Sequence, residues 1–204
     1  MNQTPAIGCL VMAAGNASRF GDNKLAARVG GKTLIERALD AVPADLFTRV
    51  VVVTQYDEVE RAAAAHGFTV LRNEHPDRGI SHTIRLGTEE LQKSCGAICY
   101  MVSDQPLLQE DSIAGAVALF RAHPDCIVGL SHNGRRGNPC IFPRAFFPEL
   151  LALREDHGGN TVIRRHEDRL LLYEVNAREL TDVDTREALS DLLAAQKDSG
   201  GGGV

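Results

Sequence analysis

The chain has 204 residues, 44% of them apolar and 24% charged, and a formal net charge of -5 at pH 7. That length and balance suit one globular domain with a full core rather than a disordered chain. The acidic balance excludes a nucleic-acid binder that relies on a broad positive field, but it leaves room for a local basic site. No run is long enough for a membrane helix, and Met1-Asn2-Gln3-Thr4-Pro5 lacks a charged-then-apolar signal pattern. A cytoplasmic protein with no membrane or nucleic-acid partner is therefore expected.

Ile7-Gly8-Cys9-Leu10-Val11-Met12 reads as a buried first strand. The run from Ala13 to Lys24 follows it. Gly15 and Gly21 give this loop backbone freedom, and Arg19 and Lys24 give it fixed positive charge. Exposed amides beside two cations suit a polyphosphate. The run is neither a P-loop nor a Gly-x-Gly-x-x-Gly dinucleotide turn. Thr33-Leu34-Ile35-Glu36 has capping-box spacing and opens a helix with Leu34, Ile35, Ala38, Leu39 and Val42 on one face, stopped by Pro43. Val50 to Val53 suits a buried strand, Asp57 to His66 a helix closed by Gly67, and Thr69 to Leu71 a short strand.

Ser81 to Gln92 predicts a helix, Ala97 to Val102 a strand, Ser112 to Ala122 a helix, and Cys126 to Leu130 a strand. Cys140-Ile141-Phe142 follows a glycine-rich turn. Helical patterns return at Arg144 to Leu153 and Asn160 to Arg165, a strand at Leu170 to Val175, and a last helix at Thr185 to Ala195. Residues 1–196 form the predicted domain, and 197–204 a flexible Gly-rich tail. The five cysteines make no zinc pattern: Cys9, Cys126 and Cys140 read as buried small hydrophobes, and Cys95 and Cys99 do not share one element. The seven histidines are scattered and no metal is assigned to them.

Alternating strands and helices predict an α/β fold, a single domain with a doubly wound, mostly parallel sheet. Ligands of such sheets sit outside the carboxyl ends of the strands. That rule brings the Ala13–Lys24 loop beside Ser103-Asp104-Gln105-Pro106. An aspartate at a strand end, facing a cationic phosphate loop, suits Mg2+, which takes one or two carboxylates plus phosphate oxygens. Asp104 also suits a helix cap or a turn residue ahead of Pro106. No Ser/His/Asp triad stands in a nucleophile-elbow context. A phosphate loop and a metal aspartate without a nucleophile suit direct attack of a second substrate on the nucleotide.

Ala13-Ala14-Gly15-x-x-Ser18-Arg19-Phe20-Gly21-x-x-Lys24-Leu25 resembles the signature of nucleotidyltransferases that modify molybdopterin, and most of all the molybdenum cofactor cytidylyltransferase family. The resemblance continues through Gly79-Ile80-Ser81-x-Thr83-Ile84-Arg85-x-Gly87, Asp104-Gln105-Pro106, Gly137-Asn138-Pro139, Asp156-x-Gly158-Gly159 and Asp182-Val183-Asp184-Thr185. It implies a Rossmann-like nucleotidyltransferase fold and transfer of CMP from CTP to the terminal phosphate of molybdopterin or molybdenum cofactor, with Mg2+. A molybdenum hydroxylase is the implied recipient.

Residue by residue, the resemblance implies that Ala13, Ala14 and Gly15 meet the base and ribose through backbone. Arg19 and Lys24 hold the triphosphate, with Asp104 as the third catalytic residue. Gly79, Ser81 and Thr83 lie beside the nucleotide, or beside the pterin. Asp104 and Asp184 bind the metal, and Gly137, Asn138, Pro139, Asp156 and Gly158 face the acceptor. Ser81 and Asp184 also suit helix caps, and Gly137-Asn138-Pro139 a plain turn. Three positions depart from the family pattern: Thr83 replaces serine, Asn138 replaces histidine, and Arg154-Glu155-Asp156 replaces a Gly-Asp pair. Ala14 stands where the GTP-using branch has glycine, and its methyl group favours the smaller base. The alternatives are the same reaction with GTP, a non-catalytic molybdenum cofactor chaperone, and transfer to a sugar or polyol phosphate.

Overall fold

β1 (Ile7–Ala13) is the first strand in the computed structural model, which describes residues 5–16 and 23–200. Its side chains alternate between two cores. Cys9, Val11 and Ala13 join one, and Leu10 joins the other. The chain then makes a two-stranded hairpin, β2 (Arg28–Val29) and β3 (Lys32–Thr33), turning at Gly30 and Gly31, whose φ values are 58° and 86°. α1 (Leu34–Asp40) follows with the capping box in place: Thr33 Oγ1 accepts from the Glu36 amide at 3.2 Å, and Glu36 Oε2 accepts from the Thr33 amide at 2.6 Å.

β4 (Arg49–Thr54), α2 (Asp57–Ala65), β5 (Thr69–Arg72), α3 (Ile80–Leu91), β6 (Ala97–Val102) and α4 (Glu110–Ala122) continue the alternation. β7 (Ile127–His132), β8 (Arg135–Pro143), α5 (Phe147–Leu151), α6 (Asn160–Ile163), β9 (Leu170–Glu174) and α7 (Arg186–Gly200) complete it. α7 runs five residues past its expected end at Ala195. Cys126, expected inside, is only partly buried, because it precedes β7 rather than opening it.

The main sheet has seven strands in the order β5-β4-β1-β6-β8-β7-β9. β1 pairs in parallel with β4 on one side and β6 on the other, so the connections reverse direction across β1 and β6. β8 is antiparallel to both its neighbours. Side chains of α1, α2 and α4 fill one face of the sheet, and those of α3, α5 and α6 fill the other. A satellite cluster of Val29, Leu34, Val183 and Leu192 joins α7 to the hairpin.

Candidate active site

The carboxyl ends of β1, β4 and β6 meet where the sheet reverses, the place at which open α/β sheets take ligands. There the Thr54 hydroxyl donates to the carbonyl of Ala13 at 3.0 Å, Gln55 Nε2 to that of Ala14 at 2.9 Å, and the Tyr56 hydroxyl to that of Gly15 at 2.9 Å. Three successive carbonyls are thus tied to three successive residues, which fixes the path of the turn. Gln55 also donates to Asn16 Oδ1 at 2.9 Å. Arg19, Gly21 and the rest of 17–22 lie outside the described residues.

Lys24 stands where the chain re-enters. Asn23 Oδ1 accepts from the Leu25 amide at 3.1 Å and starts a tight turn, and Leu25 anchors it in the core. The Lys24 ammonium then donates to Asp104 Oδ2 and to Asp184 Oδ1, both at 2.8 Å. Its side chain is only 16% exposed. Burial works against its charge, but Asp104 and then Asp184 outweigh that penalty and hold its pKa above the ordinary lysine value.

Asp104 caps no helix, since α4 begins at Glu110 after Gln109. Its backbone carbonyl accepts from the Val183 amide at 2.9 Å, which draws the distant 182–185 segment into the site. Thr185, not Asp184, caps α7: its hydroxyl accepts from the Ala188 amide at 3.1 Å. Asp184 is thereby free to meet Lys24. The Asp182 carboxyl accepts from Gln105 Nε2 at 2.9 Å, and burial together with Asp104 and Asp184 pushes its pKa up.

Lys24 and Asp104 line a first cleft of about 420 Å³ with Ala14, Gly15, Gly79, Thr83 and Asp156. Ala13 ends the buried strand beneath it. Gly79 has φ 74°, and a Cβ there would lie 2.5 Å from the Glu155 carbonyl, so only glycine fits between α3 and the 155–156 loop. Ser81 is buried and donates its amide to Glu155 O at 3.1 Å; its side chain makes no capping bond, and it borders the cleft without lining it. The Thr83 hydroxyl accepts from buried Asn73 Nδ2 at 3.1 Å, which leaves its own proton to donate. Asp156, expected on the acceptor side, lines this first cleft instead.

A second, more apolar pocket of about 460 Å³ shares Met12, Ile80 and Val102 with the first. Tyr100, Phe142, Gly137, Asn138 and Gly158 are among its lining residues. Gly137-Asn138-Pro139 is no plain turn but part of β8. In the ladder Leu130 opposes Gly137 and Gly129 opposes Cys140, so Asn138 and Pro139 bulge from the strand, and Pro139 itself is buried. A third pocket of about 530 Å³ joins Gly137 and Asn138 to Gln105, Arg136, Asp182 and Asp184.

The carboxylates fit a hard divalent cation. Asp104 and Asp184 offer oxygens close to one cationic point, and Asp104 Oδ1 is buried without a hydrogen-bond partner. Among the described residues no group of three or more His, Cys, Asp or Glu is disposed to hold a metal alone. Magnesium needs no such group when phosphate oxygens and water complete its shell. Gln55, Tyr56, Asn73 and Arg136 went unmarked in the sequence. The first two follow the end of a predicted strand, which was the only signal for them.

The profile of the MobA-like NTP transferase domain matches residues 9–170. Purine catabolism protein PucB of Bacillus subtilis (strain 168) is 25% identical over 198 residues, covering 91% of this chain and 95% of that protein. A nucleotidyl transferase from Methanothermobacter thermautotroptrophicus superposes with a TM-score of 0.78 at 21% identity, over 95% of this chain and 99% of that one. A manganese complex of Rv0371C from Mycobacterium tuberculosis H37Rv superposes with a TM-score of 0.74 at 22% identity, over 93% and 99% of the two chains. Asp184 lies beyond the matched range, so only geometry ties it to the site. With this fold, this cleft and a match over most of its length, the chain belongs to the MobA-like NTP transferase domain family.

Proposed function

We propose that the chain transfers CMP from CTP to the terminal phosphate of molybdopterin, with or without molybdenum, and releases pyrophosphate. The observation that carries this reading is Lys24 held by Asp104 and Asp184 beside the tied turn at Ala13–Gly15. The triphosphate occupies the first cleft, with Lys24 and Arg19 against its phosphates. Gly79, Ser81 and Thr83 form or support the α3 wall beside the nucleotide. Asp104 and Asp184 would hold Mg2+, which would offset charge on the α-phosphate and the departing pyrophosphate. The manganese in the Rv0371C relative supports a divalent-metal site in this fold.

The acceptor ring lies in the second pocket against Tyr100 and Phe142, beside Gly137, Asn138 and Gly158, with Pro139 buried next to Asn138 in β8 and Asp156 on the first cleft. An oxygen of its phosphate bonds to the α-phosphorus as the bond from that phosphorus to the bridging oxygen breaks. The electron pair leaves on pyrophosphate. The attacking phosphate is already deprotonated near neutral pH, so no general base is needed. No side chain in the second pocket offers a nucleophile in its place: burial, with Cys99 nearby, pushes the Cys140 thiol up to about 12. The Ala14 methyl group, buried at the cleft, favours CTP over GTP. The product passes to a molybdenum hydroxylase in the cytoplasm.

Pyrophosphate release by Lys24→Ala and Asp104→Ala tests this reading. Loss of either charge should lower kcat by about 10²–10³-fold, as for other groups aimed at developing charge. Near-normal turnover by either variant at saturating magnesium would overturn it.

A further inference from the structure

Arg136 stands near the start of β8, and it lines both the second and the third pocket. Its Nη1 is buried and has no hydrogen-bond partner among the described residues. Gln105 Oε1, on the lining of the third pocket, is buried and unpartnered too. The nearby acids do not satisfy Arg136: Asp182 Oδ1 accepts from Gln105, and Asp184 Oδ1 accepts from Lys24. A buried guanidinium nitrogen without a partner is costly, more so than a neutral amide oxygen. The ligand completing this place therefore carries negative charge, and a planar fork of donors suits phosphate oxygens.

The order of the pockets says which phosphate. On the proposed function the second pocket takes the acceptor ring, and the third contains Asp184, which is bound to Lys24 of the first cleft. A molecule with its ring in the second pocket has Arg136 on the lining of that same pocket, and its reacting end can reach the first cleft across Met12, Ile80 and Val102, which the two share. We propose that Arg136 holds the phosphate monoester of the acceptor, the attacking group, at the junction of the second and third pockets. Gln105 Oε1 accepts from a donor on the same molecule or from its bound water. This assignment rests on reading the chain as a nucleotidyltransferase with a phosphorylated acceptor.

Two measurements on the full chain test it. In steady-state pyrophosphate release, Arg136→Gln should raise the acceptor KM about tenfold to a hundredfold, as for loss of a charge-assisted hydrogen bond, and leave the nucleotide KM within about twofold. Arg136→Lys should recover part of that loss, because it restores the charge without the fork. Arg61→Gln, which removes the same charge from the exposed face of α2, should leave both constants unchanged. Equal effects of Arg61→Gln and Arg136→Gln would assign the change to net charge and overturn the proposal.

The second measurement titrates inorganic phosphate while the arginine side-chain Nε–H signals are followed by NMR. The signal missing from Arg136→Gln should shift and saturate. Absence of that shift in the unaltered protein overturns the anion site, and a shift with an unchanged acceptor KM overturns its assignment to the acceptor. If no nucleotide yields pyrophosphate with molybdopterin, nucleotidyl transfer to that acceptor fails, while the phosphate titration still decides whether Arg136 binds an anion.

Discussion

Lys24 keeps its charge in a mostly buried place because two carboxylates meet it, each at 2.8 Å. Its pKa in the folded chain lies above the ordinary 10.5, despite the burial that opposes charge. The sign follows from that. The stabilisation from this pairing is complete below the ordinary lysine value and is lost only as pH rises through the folded-state value. Lys24 therefore contributes no titration near neutrality. On the proposed function the acceptor's phosphate monoester does titrate, with a second pKa of about 6. We predict that kcat/KM for the acceptor rises with pH through about 6 and then stays flat to about 9. A fall on the alkaline side below pH 9 that vanishes in Lys24→Arg would contradict this account. The sequence made Lys24 and Asp104 legible through their loop and strand end. It left Asp184 open between a cap and a ligand, because a cap is decided by one hydrogen bond, here made by Thr185.

At the scale of elements, periodicity located most strands and helices but not the β2–β3 hairpin, whose strands are two residues each and have no period to detect. It also shortened β8, because Gly137, Asn138 and Pro139 carry turn chemistry while the bulge keeps them inside a ladder. That bulge brings Asn138 to both the second and the third pocket, so the element hardest to read is one that shapes the site. α3 shows the opposite case. Its Gly87 looks like a helix-weakening residue, yet a Cβ there would lie 2.3 Å from Leu10 Cδ1, so glycine is what lets α3 lie close on β1. Gly87→Ala should destabilise the chain by about 1–2 kcal/mol, an overpacking cost partly offset by better helix propensity. Because α3 carries Gly79, Ser81 and Thr83 to the cleft, nucleotide affinity should fall with it. Urea unfolding beside a nucleotide titration checks both, and an unchanged midpoint would show that Leu10 yields without cost.

Across the whole molecule, the α/β alternation and the reversal of connections at β1 and β6 place the tied turn, Lys24 and Asp104 at the carboxyl ends of the central strands. That much followed from pattern alone, since buried parallel strands announce themselves by short β-branched runs. The grouping of three adjoining pockets did not, because pocket shape depends on side chains brought from strands distant in sequence. Asp156 is the clearest instance: it belongs by sequence with Gly158, yet it lines the first cleft while Gly158 lines the second pocket. The third pocket gathers Gln105, Gly137, Asn138 and Asp184 from motifs the sequence marked separately, but Arg136 on its lining carried no sequence signal. The most direct test of the central claim is pyrophosphate release measured with each of the four nucleoside triphosphates, with and without molybdopterin. The account predicts release with CTP that depends on molybdopterin and exceeds release with GTP. Release with none of the four, or release with CTP that ignores molybdopterin, would contradict it.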